Sequence, residues 1–180
     1  MNTTLYTYDT AAGKLITNPD AVRLASEAAF VRAKQAVADA AYAGTVWAKL
    51  FIDTPWVDSL RVTINGEHEY DDQGGTRLYM YPSVRAVDVV DGAELPEGAE
   101  LDPDGWLDDE VRDANDDGGL TQPWRERELF DESYTLRRES VAQLLSSPFV
   151  DGWPVFRALF PEFAATLWAE YEHAASRVAA

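Results

Sequence analysis

The sequence predicts an α+β fold: an antiparallel β-meander packed on a long N-terminal helix, followed by an acidic loop and C-terminal helices. Three observations support this. An Ala-rich segment with helical spacing follows Asn18, alternating apolar residues and turn signals fill residues 46–90, and helical spacing returns after Pro123. A chain of 180 residues has room for one core, so we expect a single domain. Its parts are helix plus sheet at 1–90, an acidic loop at 91–119 and a mainly helical part at 120–180.

The N-terminal part predicts a hairpin and a long helix. Two short runs, 5–8 and 14–17, flank a connection that contains Gly, which indicates a β-hairpin. Asn18-Pro19-Asp20 then supplies an N-cap side chain, a Pro at the first helical position and an acid near the positive end of the helix dipole. We expect the helix to run to about Ala43 and to end at Gly44.

Residues 46–90 predict three to five antiparallel strands. Residues 46–52 have the composition of a buried strand, and residues 60–64 alternate apolar with polar side chains. Asn65-Gly66 is typical of a hairpin turn, because a type I′ turn needs positive φ at both positions. Residues 73–75 indicate a second turn, and the strand that follows it continues through Pro82 to Val90.

The most unusual feature of the sequence is residues 91–117, here called the acidic window. It holds twelve of the chain's 32 carboxylates and a single base, Arg112, whereas acids and bases balance over residues 1–57. Such concentration indicates a localised role: a cation site, a basic partner or a self-repelling loop. Because Gly and Pro punctuate the window, we expect a loop rather than a long helix, with Trp106, Leu107 and Val111 fixing a short turn to the body.

Helical spacing returns in the C-terminal third. A helix that ends near Ser147-Pro148 is predicted by Leu136, Val141, Leu144 and Leu145. Residues 154–160 predict a short helix, and Pro161 opens a final one. The apolar stripe of that last helix comprises Phe163, Leu167, Tyr171 and Ala174.

One motif within the window points to a cation. The segment from Asp113 to Leu120 resembles the first half of an EF-hand calcium loop, with oxygen donors at its first, third and fifth positions and Gly118 at the sixth. Asp113, Asn115 and Asp117 are therefore candidate calcium ligands. The twelfth position, which needs a bidentate Glu, holds Trp124 instead, so a solvated Asp/Gly turn is the alternative.

The sequence offers no support for an enzyme. It has no Cys, no nucleophile elbow, no phosphate-binding Gly loop and no dinucleotide fingerprint. His68 and His173 lie far apart in sequence and we expect both to be exposed, so they do not by themselves indicate a zinc site. We expect a non-enzymatic protein.

The net charge of -17 disfavours nucleic acid and anionic membranes as direct partners, because both are bound chiefly by Lys and Arg. The N-terminus lacks the features of a secretory signal, and no apolar run approaches the length of a bilayer span. We therefore expect a cytoplasmic location.

These observations favour an acidic protein that inhibits a basic nucleic-acid-handling protein, such as a nuclease, by occupying its Lys/Arg groove as duplex phosphates do. In size and charge alone, the chain is similar to phage anti-CRISPR proteins, plasmid anti-restriction proteins and immunity proteins that neutralise nuclease toxins. Most Trp and Tyr residues are expected in the core, but Trp106 and Trp124 are candidate exposed anchors. The expected partner-binding residues are Asp91, Glu94, Glu97, Glu100, Asp102, Asp104, Trp106, Asp108, Asp109, Glu110, Asp113, Asp116, Asp117 and Trp124.

Two other functions stay open. One is a calcium-dependent structural or adaptor module that folds around the Asp113–Asp117 segment. The other is a house-keeping protein adapted to high internal salt, which suits the scarcity of Lys but not the balanced charge of residues 1–57.

Overall fold

The computed structural model describes residues 6–70, 75–97, 105–124 and 132–179. The fold is α+β, as predicted. In chain order the elements are β1 (Tyr6–Asp9), β2 (Lys14–Thr17), α1 (Pro19–Asp53), β3 (Val57–Tyr70), β4 (Thr76–Val89), α2 (Trp106–Gly118), a 3-10 turn (Gln122–Trp124), β5 (Glu132–Arg137), α3 (Arg138–Leu145), α4 (Gly152–Leu159) and α5 (Pro161–Ala179). Within the described residues, no helix is both long enough and apolar enough to span a bilayer.

The chain divides into two compact units. The terminal unit comprises Met1–Val37 and Thr166–Ala180, and the central unit comprises Ala38–Ala165. Both α1 and α5 therefore begin in one unit and end in the other.

The terminal unit contains the predicted hairpin and the predicted start of α1. Strands β1 and β2 pair antiparallel, and the Asp9 carboxylate accepts hydrogen bonds from the N–H groups of Ala11 and Ala12, both at 2.9 Å. The Asn18 side chain accepts from the Asp20 N–H at 2.9 Å, so Asn18 is the predicted N-cap. The hairpin and the N-cap of α1 are therefore as the sequence predicted.

In the central unit, α1 continues to Asp53, so the predicted end at Gly44 and the predicted strand at 46–52 are wrong. Gly44 is the point where α1 crosses α4. A Cβ on Gly44 would lie 1.9 Å from the Gly152 carbonyl oxygen, and a Cβ on Gly152 would lie 1.8 Å from the Ala41 carbonyl oxygen. Gly44 therefore permits close helix packing and does not end the helix.

A three-stranded antiparallel sheet of order β4-β3-β5 forms the β layer of the central unit. The predicted turn at Asn65-Gly66 is wrong, because both residues lie within β3 opposite Tyr81 and Met80. Asn65 is buried, and its side-chain amide donates to the Ser83 hydroxyl at 2.8 Å. Tyr70 pairs with Thr76, which agrees with the reversal predicted at residues 73–75, although positions 73 and 74 lie outside the described residues.

Strand β5 replaces the first part of a predicted helix. Leu136 lies in β5, is buried and pairs with Leu60 of the central strand. Helix α3 begins directly afterwards and buries Val141. Side chains along β5 alternate between more and less exposed positions, as expected for a strand. The helical spacing of Leu136 with the later apolar residues hid this alternation in the sequence. The predicted helices near 154–160 and from Pro161 are confirmed as α4 and α5.

Arg138 joins the end of α1 to the sheet. Its guanidinium donates to the carbonyl oxygens of Phe51 (2.7 Å) and Val57 (2.5 Å), and its Cζ lies 5.4 Å from the centroid of the Phe51 ring. Burial lowers the pKa of Arg138 from its ordinary value. A cation at a helix C-terminus satisfies carbonyl groups that have no partner within the helix.

Candidate functional site

All of the acidic window after Gly105 is helical, so the predicted loop over this part is wrong. Helix α2 ends at Gly118. Gly119 caps it in the left-handed conformation (φ 66°) and donates its N–H to the Asn115 carbonyl at 2.6 Å. Leu107 and Val111, the residues expected to fix a short turn, are both buried one helical turn apart. The Gly and Pro residues that indicated a loop flank the helix or end it.

Asp108 belongs to the inner face of α2. Only 4% of it is exposed, and its carboxylate accepts from the Val84 N–H of β4 at 2.7 Å. It also pairs with Arg112 one turn later, with an Nε–Oδ2 distance of 3.1 Å. Asp108 is therefore a structural anchor, and its prediction as a partner-binding residue is wrong.

Asn115 is the second polar anchor of the inner face. Its side-chain oxygen accepts from the Thr121 N–H at 3.0 Å, and its amide donates to the Met80 carbonyl at 3.3 Å. The Thr121 hydroxyl lies 2.8 Å from both of these oxygens. The candidate calcium ligand Asn115 thus uses its oxygen within the protein.

The segment that resembles an EF-hand is helical from Asp113 to Gly118 rather than a loop. Asp113 is exposed, and the side chain of Asp117 lies outside the described part. In the ranges that the structure describes, no group of three or more His, Asp or Glu side chains could hold a metal ion. Calcium binding stays an untested prediction.

The outer face of α2 carries three exposed carboxylates at positions i, i+4 and i+7: Asp109, Asp113 and Asp116, here called the acidic stripe. With 1.5 Å of rise per residue, they span about 10 Å of helix axis. Asp116 accepts from the Tyr79 hydroxyl at 2.8 Å. Neither Asp109 nor Asp113 has an ion-pair partner within 4.0 Å among the described residues.

The two predicted tryptophan anchors have different outcomes. Trp124 is fully buried (0% exposed) and stacks on Phe163 at 4.8 Å, and its Nε1–H donates to the Tyr134 hydroxyl at 2.9 Å. Its prediction as an exposed anchor is wrong, because it lies at the centre of the aromatic core. Trp106 begins α2, and its side chain lies outside the described part.

The remaining predicted partner residues fall into two groups. Asp91, Glu94 and Glu97 before α2 are exposed, as is Glu110 within it. Three more lie outside the described residues: Glu100, Asp102 and Asp104.

A cavity of about 400 Å³ lies between α2 and β4. Its lining comprises Tyr79, Tyr81, Arg112, Asn115 and Asp116. The two Tyr rings stack with centroids 6.0 Å apart, since residues i and i+2 share one face of a strand. Burial, and then the Glu67 carboxylate, raise the pKa of Tyr81 from its ordinary value.

A second cavity of about 300 Å³ lies between α1 and α2, here called the α1–α2 cavity. Its lining comprises Val46, Trp47, Lys49, Leu50, Asp53, Thr54, Glu110, Val111, Ala114 and Leu120. Lys49 pairs with Asp53 one turn along α1, and both are exposed. The hydrogen bond to Asp53 raises the pKa of Lys49, with a smaller contribution from Glu110.

No family model matches the sequence, and neither a curated protein nor a solved structure matches the chain. Outward carboxylates on a regular helix accept charge-assisted hydrogen bonds from Lys and Arg. His68 of β3 and His173 of α5 are exposed, as predicted, and neither lines a cavity next to α2.

Proposed function

We propose that this chain is an acidic, non-enzymatic binding protein that inhibits a basic nucleic-acid-handling protein, and that the acidic stripe of α2 contacts this target. The observation that supports the proposal is a contrast between neighbours. Asp108 is buried and bonded to the sheet, whereas Asp109 and Asp113 project from the same helix without a structural partner among the described residues.

The stability of α2 does not explain the whole stripe. Asp109 lies in the first turn, where the helix dipole favours a negative charge, but Asp113 and Asp116 lie beyond it. Asp109 and Asp113 are like charges at i and i+4, which destabilise a helix by a few tenths of a kcal/mol. Asp116 lies in the last turn, where the helix dipole disfavours a negative charge and where α2 has no base. A partner that supplies Lys or Arg offsets both effects.

The regular spacing of the stripe suits nucleic-acid mimicry better than the loop that the sequence predicted. A helix holds successive carboxylates at fixed separations along its axis, as a duplex does its phosphates. Helix α2 carries six carboxylates and one Arg, and the exposed Asp91, Glu94 and Glu97 precede it. Such a surface accelerates association with a Lys/Arg groove, most strongly at low salt.

The test is a pull-down from bacterial lysate at low salt with three baits. The first is the intact chain and the second is Asp109→Asn/Asp113→Asn. The third, Asp58→Asn/Glu139→Gln, is the matched control, since it removes two exposed carboxylates outside the window and changes the net charge equally. We expect the intact and control baits, but not the stripe variant, to retain a nucleic-acid-binding protein that added DNA or RNA displaces.

Equal retention by all three baits would show that the stripe is not the contact. If added DNA or RNA does not displace the captured protein, the proposal that the chain occupies a nucleic-acid-binding groove is overturned. A fourth bait, Asp91→Asn/Glu94→Gln/Glu97→Gln, separates the helix from the preceding segment of the window. A melting temperature that rises with calcium, without capture of any partner, would instead favour the adaptor function.

A further inference from the structure

The α1–α2 cavity has an apolar floor made by matching faces of two helices. Helix α1 contributes Val46, Trp47 and Leu50, and α2 contributes Val111 and Ala114. Leu50 follows Trp47 by three residues and Val46 by four, and Ala114 follows Val111 by three, so each set lies on one face of its helix. Trp47 and Val111 are fully covered by the protein, and the cavity volume of about 300 Å³ is at the lower end of the range for specific binding sites.

Charge at the rim indicates the kind of occupant. Asp53 and Glu110 give the rim two carboxylates against the single ammonium of Lys49. Asp109 and Asp113, which belong to the acidic stripe, immediately precede the lining residues Glu110 and Ala114 in α2. The apolar floor therefore lies beside the most negative surface that the structure describes on α2.

Exposed ion pairs alone contribute little affinity, because water and salt screen them. Lasting protein–protein contacts usually depend on an apolar side chain that enters a pocket, surrounded by polar contacts that exclude water. The stripe and the cavity together supply these two elements on adjacent sides of one helix.

We propose that the α1–α2 cavity is an anchor pocket for one apolar side chain of the basic partner, flanked in that partner by Lys or Arg. This inference rests on the proposed function and specifies how the partner is held. The stripe attracts the basic segment, and the cavity retains it. Binding through the cavity should persist at salt concentrations that abolish the contribution of the stripe.

The test uses three synthetic peptides and the full chain labelled with ¹⁵N. The first peptide is Lys-Arg-Gly-Phe-Gly-Arg-Lys, the second has Ser in place of Phe, and the third has Glu in place of each Lys and Arg. Amide resonances of Asp109 and Asp113 report the stripe, and those of Val111 and Ala114 report the cavity. The indole N–H resonance of Trp47, assigned with Trp47→Phe, reports the floor.

We expect the Phe peptide to shift both sets of resonances and the Ser peptide to shift the stripe alone. At 0.3 M salt the Phe peptide should bind at least fivefold more tightly than the Ser peptide. Ala114→Phe fills the cavity without a change of charge and should remove that difference. Ala114→Leu serves the same purpose if the larger side chain prevents folding.

Equal affinities, with shifts confined to the stripe, would overturn the anchor pocket and leave the proposed function standing. If neither basic peptide shifts the stripe, both proposals fail. Tight binding of the Glu peptide would overturn the basic partner as the occupant. A Trp47 resonance that moves on dilution of the protein alone would identify a second copy of this chain as the occupant, and would also overturn the proposal.

Discussion

Helices α4 and α2 both lie in the central unit, but different interactions hold them there. Helix α4 is held by shape: it buries Val155, Phe156 and Leu159 and crosses α1 where Gly44 and Gly152 bring the two backbones together. Its sequence contains no carboxylate. Apolar packing therefore holds most of this helix in place, and the Asp151 side chain caps its N-terminus.

Helix α2 is held partly by directional hydrogen bonds. It buries Leu107 and Val111, but Asp108 and Asn115 also tie it to backbone groups of β4. Because these bonds fix the orientation of α2, its outer face is free to carry Asp109 and Asp113, which have no ion-pair partner within 4.0 Å among the described residues. One helix of this unit thus supports the core, while the other also presents a surface.

The largest expected effect tests the packing of α4. Gly152→Ala places a Cβ on the Ala41 carbonyl, and the two helices must separate. We expect a loss of about 3 kcal/mol of unfolding free energy, at the upper end for overpacking. Gly92→Ala is the control, since its Cβ meets nothing within 4 Å and its positive φ costs only about 1 kcal/mol. Urea denaturation measures both, and equal losses would contradict a close helix crossing.

The next effect tests the directional anchor of α2. Asp108→Ala leaves the Val84 N–H without its acceptor, so we expect a loss of about 2 to 3 kcal/mol. Asp108→Asn retains a side-chain oxygen and should lose less. Hydrogen exchange of the Val84 amide, measured beside urea denaturation, should accelerate in Asp108→Ala. Unchanged protection of that amide would show that the bond does not hold α2 to the sheet.

A smaller loss is expected at the other end of α2. Asn115→Ala removes the acceptor of the Thr121 N–H and the donor to Met80, and we expect a cost of about 1 to 2 kcal/mol. Thr121→Val keeps the Thr121 N–H bond and loses only the hydroxyl, so it should cost less. Thermal unfolding compares the two variants, and the reverse order would contradict Asn115 as the anchor.

The smallest effect concerns the cavity between α2 and β4. Burial and then Glu67 raise the pKa of Tyr81, so the neutral phenol stabilises the fold below the ordinary Tyr pKa of about 10. That contribution is lost only as pH rises through the higher pKa of the folded state. Glu67→Gln should lower the pKa of Tyr81 and move this loss to lower pH.

Absorbance titration of the phenols, with Tyr81→Phe to assign the transition, checks this expectation. Asp58→Asn removes an exposed carboxylate of β3 that does not act on Tyr81, and should leave the transition in place. An identical Tyr81 titration in Glu67→Gln would show that burial alone raises the pKa.

Local signals predicted a large part of the fold. The N-cap at Asn18, the hairpin before it and the Pro161 start of α5 depend on residues a few positions apart. The predictions of a helix end at Gly44 and of a turn at Asn65-Gly66 were wrong because long-range contacts decide the conformation of these residues. Gly44 meets Gly152 more than a hundred residues later, and the turn preference of Asn65-Gly66 is overridden by pairing along two strands of 14 residues.

The sequence located the acidic window but did not show which of its carboxylates are buried and which are exposed. Asp108 and Asp109 are adjacent in sequence, yet a helix turns about 100° between them, so one is buried and the other exposed. Which one faces the protein depends on the N–H of Val84, 24 residues earlier in the chain. The aromatic contacts that bury Trp124 are of the same long-range kind.

The most direct test of α2 as a presented surface is the unfolding free energy of Asp109→Asn/Asp113→Asn in urea, at low and at high salt. If the stripe is a presented surface, its removal should change the unfolding free energy by no more than about 0.5 kcal/mol at low salt, because relief of the repulsion is offset by loss of the interaction of Asp109 with the helix dipole. Any change should disappear at high salt, where exposed charges are screened. A loss of more than about 1 kcal/mol would show that these carboxylates hold the fold together, and would contradict a presented surface.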